Sequence, residues 1–252
     1  MIRVNLVGTG NLGWNLAQAL QDANGVELVQ VVDRSERLKD LQGLNRIETL
    51  ETMNPADICL LAVRDSDIAG LVPQLRQFDM MIAHCSGATP LSELDGLKRA
   101  GVWYPLQTFS KDLRAPLKNI TVALESNDDD DLELLSGLAL ALHANPIRVD
   151  SAQRRVLHLS AVLVNNFVNH LFTLGKTELD QVGLSFDLLL PLIQETVRKA
   201  SLNGPEDSQT GPAVRNDHET IQKHLDLLSD PKTRELYIQL TQSILQRHGK
   251  EL

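Results

Sequence analysis

A glycine-rich turn follows the first apolar segment of the chain and is the clearest candidate for binding chemistry. Ile2-Arg3-Val4-Asn5-Leu6-Val7 leads into Gly8-Thr9-Gly10-Asn11-Leu12-Gly13, which opens a helix pattern. In this spacing the first glycine permits a tight turn, the second lets a pyrophosphate approach the backbone, and the third lets the helix pack closely on the strand. The free amides at a helix start attract phosphate. The pattern predicts a dinucleotide site, and a glycine turn without a ligand is the alternative.

The second predicted strand ends in an acidic residue. Asp33 follows Gly13 by the interval at which a dinucleotide site places the carboxylate that binds the ribose hydroxyls. Such a carboxylate favours NAD because it repels a 2′-phosphate, whereas the adjacent Arg34 and Ser35 are residue types that hold this phosphate. These residues do not decide between NAD and NADP as the cofactor. FAD shares the fingerprint, but nothing later in the chain indicates a flavin domain.

Polar side chains also follow later predicted strands at the same sheet edge. Because ligands bind at the carboxyl ends of parallel strands, Ala62-Val63-Arg64 should line the dinucleotide, and Ser66 or Asp67 should cap the next helix. His84 ends the following strand and is a candidate proton donor, with a hydrogen-bonded structural histidine as the alternative. Its neighbour Cys85 has no activating partner in the sequence, so we expect no nucleophile there.

Short apolar runs alternate with helix patterns through the first 150 residues. Strands are predicted at 2–7, 26–32, 57–63, 80–84, 102–104, 120–124 and 147–149, with helices at 12–22, 67–78, 91–100 and 129–141. This alternation predicts a doubly wound, Rossmann-type parallel α/β sheet. From residue 151 only helices are predicted, at 151–182, 187–203, 217–228 and 231–247. We expect a dinucleotide-binding domain over 1–150 and an all-α substrate or dimerisation domain over 151–252.

The first helix of the second half carries further candidates. His158, Asn165 and Asn169 are spaced i, i+7 and i+11, which places them on one helix face. His158 could exchange the proton that accompanies hydride transfer. Asn165 or Asn166 could hydrogen-bond a substrate carbonyl, imine or carboxylate. Polar contacts within a dimer interface are the alternative interpretation.

Two loop clusters complete the expected cleft over the nicotinamide. Tyr104, Gln107 and Thr108 follow a short predicted strand and are candidates for substrate binding. Arg215 could clamp an anionic substrate group, or it could pair with Asp217 and fix its own loop. Asn216, which directly precedes Asp217, is predicted to cap the following helix.

Composition and charge exclude several kinds of partner. The chain has 252 residues, and 24 Lys plus Arg against 33 Asp plus Glu give a formal net charge of −9. This balance repels phosphate backbones and anionic lipid, so we expect neither nucleic acid nor membrane as a partner. Only two cysteines are present, which is typical of a cytoplasmic protein. The acidic run 128–131 precedes a helix pattern and favours its dipole, so we expect no metal site.

Several of these segments resemble known families. The glycine turn together with Ala62-Val63-Arg64-Asp65-Ser66-Asp67-Ile68 resembles the N-terminal domain of deazaflavin-coenzyme-dependent NADP oxidoreductases. Other segments are similar to a narrower group of Rossmann-like NADP oxidoreductases with a helical C-terminal domain of unknown function. These segments are His84-Cys85-Ser86-Gly87, Tyr104-Pro105-Leu106-Gln107-Thr108-Phe109, His158 through Asn165-Asn166-Phe167, and Thr210-Gly211-Pro212-Ala213-Val214-Arg215-Asn216-Asp217.

The resemblance implies the fold, NADP as the cofactor with NAD as the alternative, and a homodimer formed through the helical domain. It implies no substrate. Tyr104 stands where many members have His, and Asn216 stands where Gly is common. Ala161 and Val162 stand where related hydroxyacid dehydrogenases have a Lys before an Asn, which argues against their Lys mechanism.

Taken together, the residues favour an NAD(P)H-dependent oxidoreductase. It would transfer a hydride to or from a small carbonyl or imine substrate held between the two domains. The alternative is a dimer that binds NAD(P) without turnover and senses redox state. Chemistry at His158 distinguishes the two hypotheses.

Overall fold

A mostly parallel sheet forms the first part of the chain in the computed structural model, which describes residues 1–33, 41–110 and 113–249. The described strands are β1 (Ile2–Val7), β2 (Val26–Val32), β3 (Arg46–Ile47), β4 (Ile58–Leu61), β5 (Met81–His84), β6 (Ala100–Pro105), β7 (Thr121–Ser126) and β8 (Asn145–Arg148). Their order is β3-β2-β1-β4-β5-β6-β7-β8, and only the β6–β7 pair among them is antiparallel. The chain winds outward in both directions from β1, which confirms the predicted Rossmann-type fold.

Both faces of the sheet are buried. Along β4, Ile58 and Leu60 belong to one apolar cluster, whereas Cys59 and Leu61 belong to the other. Alternate side chains of a strand point to opposite faces, so each face has its own core. This burial explains why the strands read as continuous apolar runs in the sequence.

Three helices pack with the sheet: α1 (Asn11–Asp22), α2 (Asp65–Leu75) and α3 (Asp129–Ala141). A fourth, α4 (Ser151–Ala161), is joined to β7 through contacts of Ser151 and Arg154 with Glu125. The Asp128 carboxylate caps α3 by accepting a hydrogen bond from the Asp131 amide at 3.1 Å, as the acidic run suggests. The predicted helix over 91–100 is wrong. Only a 3₁₀ turn, Leu91–Leu94, forms there, because Gly96 takes a φ of +93° and breaks the helical path.

The remaining described elements are helical, as predicted. A π-helical turn, Val162–Asn166, precedes α5 (Phe167–Gln181), a 3₁₀ turn (Phe186–Leu189), α6 (Leu190–Asn203), α7 (Pro212–Arg215), α8 (His218–Leu227) and α9 (Pro231–Arg247). Asp217, not Asn216, caps α8: its carboxylate accepts from the Thr220 amide at 3.0 Å. Asn216 instead takes a left-handed φ of 59°. None of the described helices is long and apolar enough to cross a membrane.

The chain divides into two compact units, Met1–Asn166 and Phe167–Leu252. We call them the sheet unit and the helical unit. The helix α4 and the π-helical turn therefore belong to the sheet unit, although they follow the predicted boundary at residue 150. The cleft described below lies entirely within this unit.

Candidate functional site

The three glycines of the turn have three different environments. Gly8 has a φ of +101°, and a Cβ built on it would overlap the Ala62 carbonyl. A Cβ on Gly13 would overlap the Gly8 carbonyl, so α1 lies against the turn that precedes it. In contrast, no described atom lies within 4 Å of a Cβ built on Gly10. The open space at Gly10 is where a pyrophosphate must approach the backbone, so these residues fit a dinucleotide.

The start of α1 suits an anion. Gly10 is its N-cap residue, and the first helical hydrogen bond runs from the Trp14 amide to the Gly10 carbonyl at 2.9 Å. The first turn contains no acidic residue. The amides before Trp14 therefore keep the partial positive charge that binds phosphate at helix N-termini.

Asp33 lies beside this turn. It follows β2 directly, is buried, and accepts a hydrogen bond from the Thr9 hydroxyl at 2.9 Å. The carboxylate is thus held at the carboxyl end of the strand next to the glycine turn. Arg34 and Ser35, the candidates for the 2′-phosphate, fall outside the described residues. The choice between NAD and NADP by these side chains stays a prediction.

A first cleft of about 410 Å³ lies at the glycine turn. It is lined by Gly8 and Thr9 together with Val63 and Arg64, and Ala62 joins this edge through its amide, which donates to the Val7 carbonyl at 2.8 Å. The predicted cap by Ser66 or Asp67 is wrong. The helix α2 begins at Asp65, and the Asp67 carboxylate instead accepts from Arg64 Nε at 2.9 Å.

A second cleft of about 640 Å³ collects most of the other predicted residues. Its lining combines the start of α1, the end of β6 with the segment that follows it, and the end of α4 with the π-helical turn. The polar residues of this lining are Asn11, Tyr104, Gln107, Thr108, His158, Ser160, Asn165 and Asn166, and the apolar ones are Leu12, Leu106, Phe109, Leu157, Ala161, Val162 and Val164. The candidates from two distant segments therefore face one space that also includes Asn11 and Leu12 of the glycine turn.

Tyr104 and His158 form a hydrogen-bonded pair at this cleft. The Tyr104 hydroxyl lies 3.0 Å from His158 Nδ1, and the rings meet edge to face with centroids 5.8 Å apart. Burial raises the pKa of the Tyr104 phenol above its ordinary value, so the hydroxyl keeps its proton at neutral pH. This pair is the strongest candidate in the cleft for proton transfer.

Sequence reasoning missed three residues in the surroundings of this pair: Gly87, Arg154 and Glu125. A Cβ on Gly87 would lie 2.7 Å from both His158 Nδ1 and Tyr104 Cζ, so only glycine fits there. Arg154, fully buried on α4, forms an ion pair with Glu125 of β7. The available signal for Gly87 was its position just after a strand, whereas nothing in the sequence marks Arg154 as buried.

His84 is not among the described residues that line either cleft. It is fully buried, and its Nδ1 accepts from the Ser86 amide at 3.2 Å. Burial, followed by the positive charge of Arg154, lowers the pKa of His84 to about 4. The imidazole ring of His84 is therefore uncharged at neutral pH, which favours a structural histidine over a proton donor. Burial also raises the pKa of the Cys85 thiol, in line with the expectation of no nucleophile.

Arg215 belongs to the helical unit. Its guanidinium is exposed, with Nη2 3.9 Å from the Asp217 carboxylate, so the pairing alternative is observed. Its contact with a substrate stays a prediction. Among the described residues, no group of three or more His, Cys, Asp or Glu could hold a metal ion.

The sheet order, the glycine turn and the helical C-terminal part define a Rossmann-type α/β protein with a helical unit. Residues 120–244 match the family model described as Domain of unknown function (DUF2520). A candidate NADP oxidoreductase from Bacteroides fragilis is 35% identical, covers 98% of each chain and superposes with a TM-score of 0.89. The chain therefore belongs to the family of Rossmann-type NADP oxidoreductase-like proteins that this Bacteroides protein represents.

Two more distant structures share the fold. A protein of Thermotoga maritima is 20% identical over 96% of this chain and 99% of that one, with a TM-score of 0.76. An imine reductase from a Pseudomonas species is 16% identical over 99% of this chain and 95% of that one, with a TM-score of 0.73. Comparison with curated proteins found no matching sequence.

Proposed function

We propose that the protein binds NADP, with NAD as the alternative, at the glycine turn and transfers a hydride to or from a small carbonyl or imine compound. The observation that carries this proposal is the second cleft, because it is lined both by Asn11 and Leu12 of the turn and by the Tyr104–His158 pair. A substrate there would lie between the cofactor site and a proton-bearing group. The name of the Bacteroides relative supports NADP as the cofactor.

The nicotinamide ring, when bound, supplies or accepts the hydride. The chain itself must supply the matching proton, because a carbonyl or imine carbon that gains a hydride leaves charge on its oxygen or nitrogen. The protonated Tyr104 hydroxyl and its partner His158 are placed to give that proton. The side-chain amides of Asn165 and Asn166 could orient the polar atom of the substrate, while Leu106 and Phe109 exclude water.

A binding titration tests the cofactor assignment. NADPH, NADH and FAD are titrated calorimetrically into the wild type and into Arg34→Ala. We expect NADPH to bind more tightly than NADH, FAD not to bind, and the preference for NADPH to disappear in Arg34→Ala. Absence of binding by every dinucleotide would overturn the proposal.

Turnover is measured separately, by the loss of NADPH absorbance with methylpyrroline as an imine probe and cyclohexanone as a ketone probe. We expect His158→Ala to lower the rate far more than the affinity for NADPH. If the wild type consumes neither probe nor other small carbonyls, yet binds NADPH and NADP with different affinity, the redox-sensing alternative replaces the catalytic one.

We propose also that the helical unit contacts a second copy of the chain. Neither α5 nor α6 has a buried residue, and their exposed apolar side chains include Phe167, Leu171, Leu190, Leu192 and Val197. Exposed apolar side chains clustered on helices in this way are typical of interfaces between subunits. Analytical ultracentrifugation should give twice the chain mass of 27.9 kDa, and a monomer at micromolar concentration would contradict the proposal.

A further inference from the structure

We propose that Arg154 is a positioning residue that, together with Glu125 and the loop 86–89, fixes the His158 imidazole against the Tyr104 hydroxyl. Its catalytic consequence rests on the function proposed above, whereas its effect on the geometry of the pair does not. Arg154 is not among the described residues that line either cleft. It acts through the backbone of α4 and through the loop.

Arg154 ties α4 to the sheet at one point. Its side chain is 0% exposed, and its Nη1 pairs with the Glu125 carboxylate of β7. Glu125 also accepts hydrogen bonds from the Ser151 amide at 2.9 Å and the Ser151 hydroxyl at 2.8 Å. The first turn of α4 is thereby held to β7 by a charged network. His158 lies one turn further along, and residues four apart share a helix face.

The same guanidinium holds the loop that touches the pair. Arg154 Nη2 donates to the Thr89 carbonyl, and the Ser86 hydroxyl accepts from the Thr89 amide at 3.0 Å, which closes the loop on itself. Gly87 sits between these two residues, and a Cβ there would lie 2.7 Å from both rings of the pair. Arg154 therefore fixes both the helix that carries His158 and the loop that lies against His158 and Tyr104.

Fold stability alone does not explain a buried charged side chain. A buried ion pair has a large desolvation penalty, and well-packed apolar side chains of similar volume often stabilise a fold as well or better. What a guanidinium that donates to two separate acceptors adds is fixed geometry, because Nη1 and Nη2 must each meet its acceptor in a set direction. Here those acceptors lie on β7 and on the loop 86–89, so one side chain ties α4 to both.

A second tyrosine–histidine pair in the helical unit provides an internal reference. The Tyr237 hydroxyl lies 2.8 Å from His224 Nδ1, and the ring centroids are again 5.8 Å apart, edge to face. The two pairs are alike in geometry, but their surroundings differ. Beside the second pair, Arg234 Nε donates to the Leu225 carbonyl at 3.3 Å, and neither His224 nor Tyr237 is among the described lining residues of the two clefts. A perturbation of Arg154 should disturb the first pair and leave the second unchanged.

The test uses the full-length protein and four variants: Arg154→Met, Arg154→Lys, Glu125→Gln and Gly87→Ala. Arg155→Met is the matched control, since Arg155 is the exposed neighbour on the same helix. Carbethoxylation of histidines by diethyl pyrocarbonate is followed residue by residue with peptide mass spectrometry, under conditions where circular dichroism shows folded protein. In Arg154→Met and Gly87→Ala we expect a severalfold faster reaction at His158 and an unchanged rate at His224.

The kinetic readout is the split between kcat and KM for NADPH oxidation with methylpyrroline. We expect Arg154→Met to lower kcat about a hundredfold with little change in KM, because a misplacement near 1 Å costs about that much. Arg154→Lys should recover part of the loss, and Arg155→Met should match the wild type.

Unchanged His158 reactivity in folded Arg154→Met and Gly87→Ala would overturn the inference, and so would a parallel rise at His158 and His224. Should Arg154→Met not fold, Arg154→Lys and Gly87→Ala give the same two readouts. If the wild type consumes no probe while His158 reactivity still rises selectively, the function proposed above fails and the positioning role stands.

Discussion

The free energy of unfolding should fall as the pH drops from about 7 to about 5, because His84 stays neutral in the folded chain. The ring is fully buried, and its Nδ1 accepts from the Ser86 amide. Burial, and then the charge of Arg154, lowers the pKa of His84 from 6.5 to about 4. The unfolded chain therefore binds a proton near its ordinary pKa, whereas the folded chain binds it only near the lowered one.

The two pKa values set the size of this effect. Stability contributed by a neutral buried histidine is present above the unfolded pKa and is lost as the pH falls towards the folded pKa. Between about pH 7 and about pH 5 the loss is about 2 kcal/mol, and it approaches about 3 kcal/mol near the folded pKa. Carboxylates titrate in the same range, so only a comparison between variants isolates His84.

Urea unfolding at both pH values, followed by the fluorescence of Trp14 and the buried Trp103, provides the assay. His84→Asn keeps an oxygen that can accept from the Ser86 amide but has no proton to gain. We expect the pH-dependent loss in the wild type to exceed that in His84→Asn by about 2 kcal/mol. His143→Asn, at an exposed left-handed position with φ of 58°, should behave as the wild type. Equal losses in the wild type and His84→Asn would show that His84 does not cause the pH dependence.

Three further predictions follow from the sheet unit. Asp128→Ala removes the cap on the Asp131 amide and should lower the free energy of unfolding by about 1 kcal/mol, whereas Asp129→Ala should cost less; equal costs in urea titrations would contradict this. Burial raises the pKa of the Cys59 thiol to about 12, so Cys59 should react with dithionitrobenzoate only after unfolding; fast reaction of the native protein would disprove it. In a Tyr237→Phe background the ultraviolet titration of Tyr104 should have its midpoint above the ordinary phenol pKa of 10.0, and a lower midpoint would count against the burial argument.

Much of the fold could be predicted because its elements are strongly patterned. The strand Ile58–Leu61 is buried on both faces and therefore reads as an unbroken apolar run. The glycine spacing identifies the switch from β1 to α1. The two-residue strand Arg46–Ile47 is too short to show an apolar pattern in the sequence. It is recognised as a strand only by its pairing with β2. The helix predicted over 91–100 failed because Gly96 takes a left-handed φ, for which the Asp95-Gly96 dipeptide was the available signal.

The site was predictable where chain order alone places residues at one sheet edge. Tyr104 and His158 could be nominated separately, but their hydrogen bond depends on how α4 lies on the sheet. That placement depends on Arg154 and Glu125, which are 29 residues apart. An arginine on an amphipathic helix usually lies in solvent, so its burial could not be read from the sequence. His84 shows the converse, since its position at a strand end suggested chemistry that its complete burial disfavours.

The central claim is that a dinucleotide approaches the backbone at Gly10, and one pair of alanine variants tests it most directly. Neither Gly10 nor Gly70 has a described atom within 4 Å of a built Cβ, and neither has a positive φ. Both alanines should therefore fold, and Gly70→Ala should melt at or slightly above the wild-type temperature because Gly70 lies inside α2. Gly10→Ala should weaken NADPH binding at least about tenfold by calorimetry, through the loss of about 1.4 kcal/mol or more, while Gly70→Ala should bind as the wild type does. Equal NADPH affinity in Gly10→Ala, Gly70→Ala and the wild type would contradict this claim.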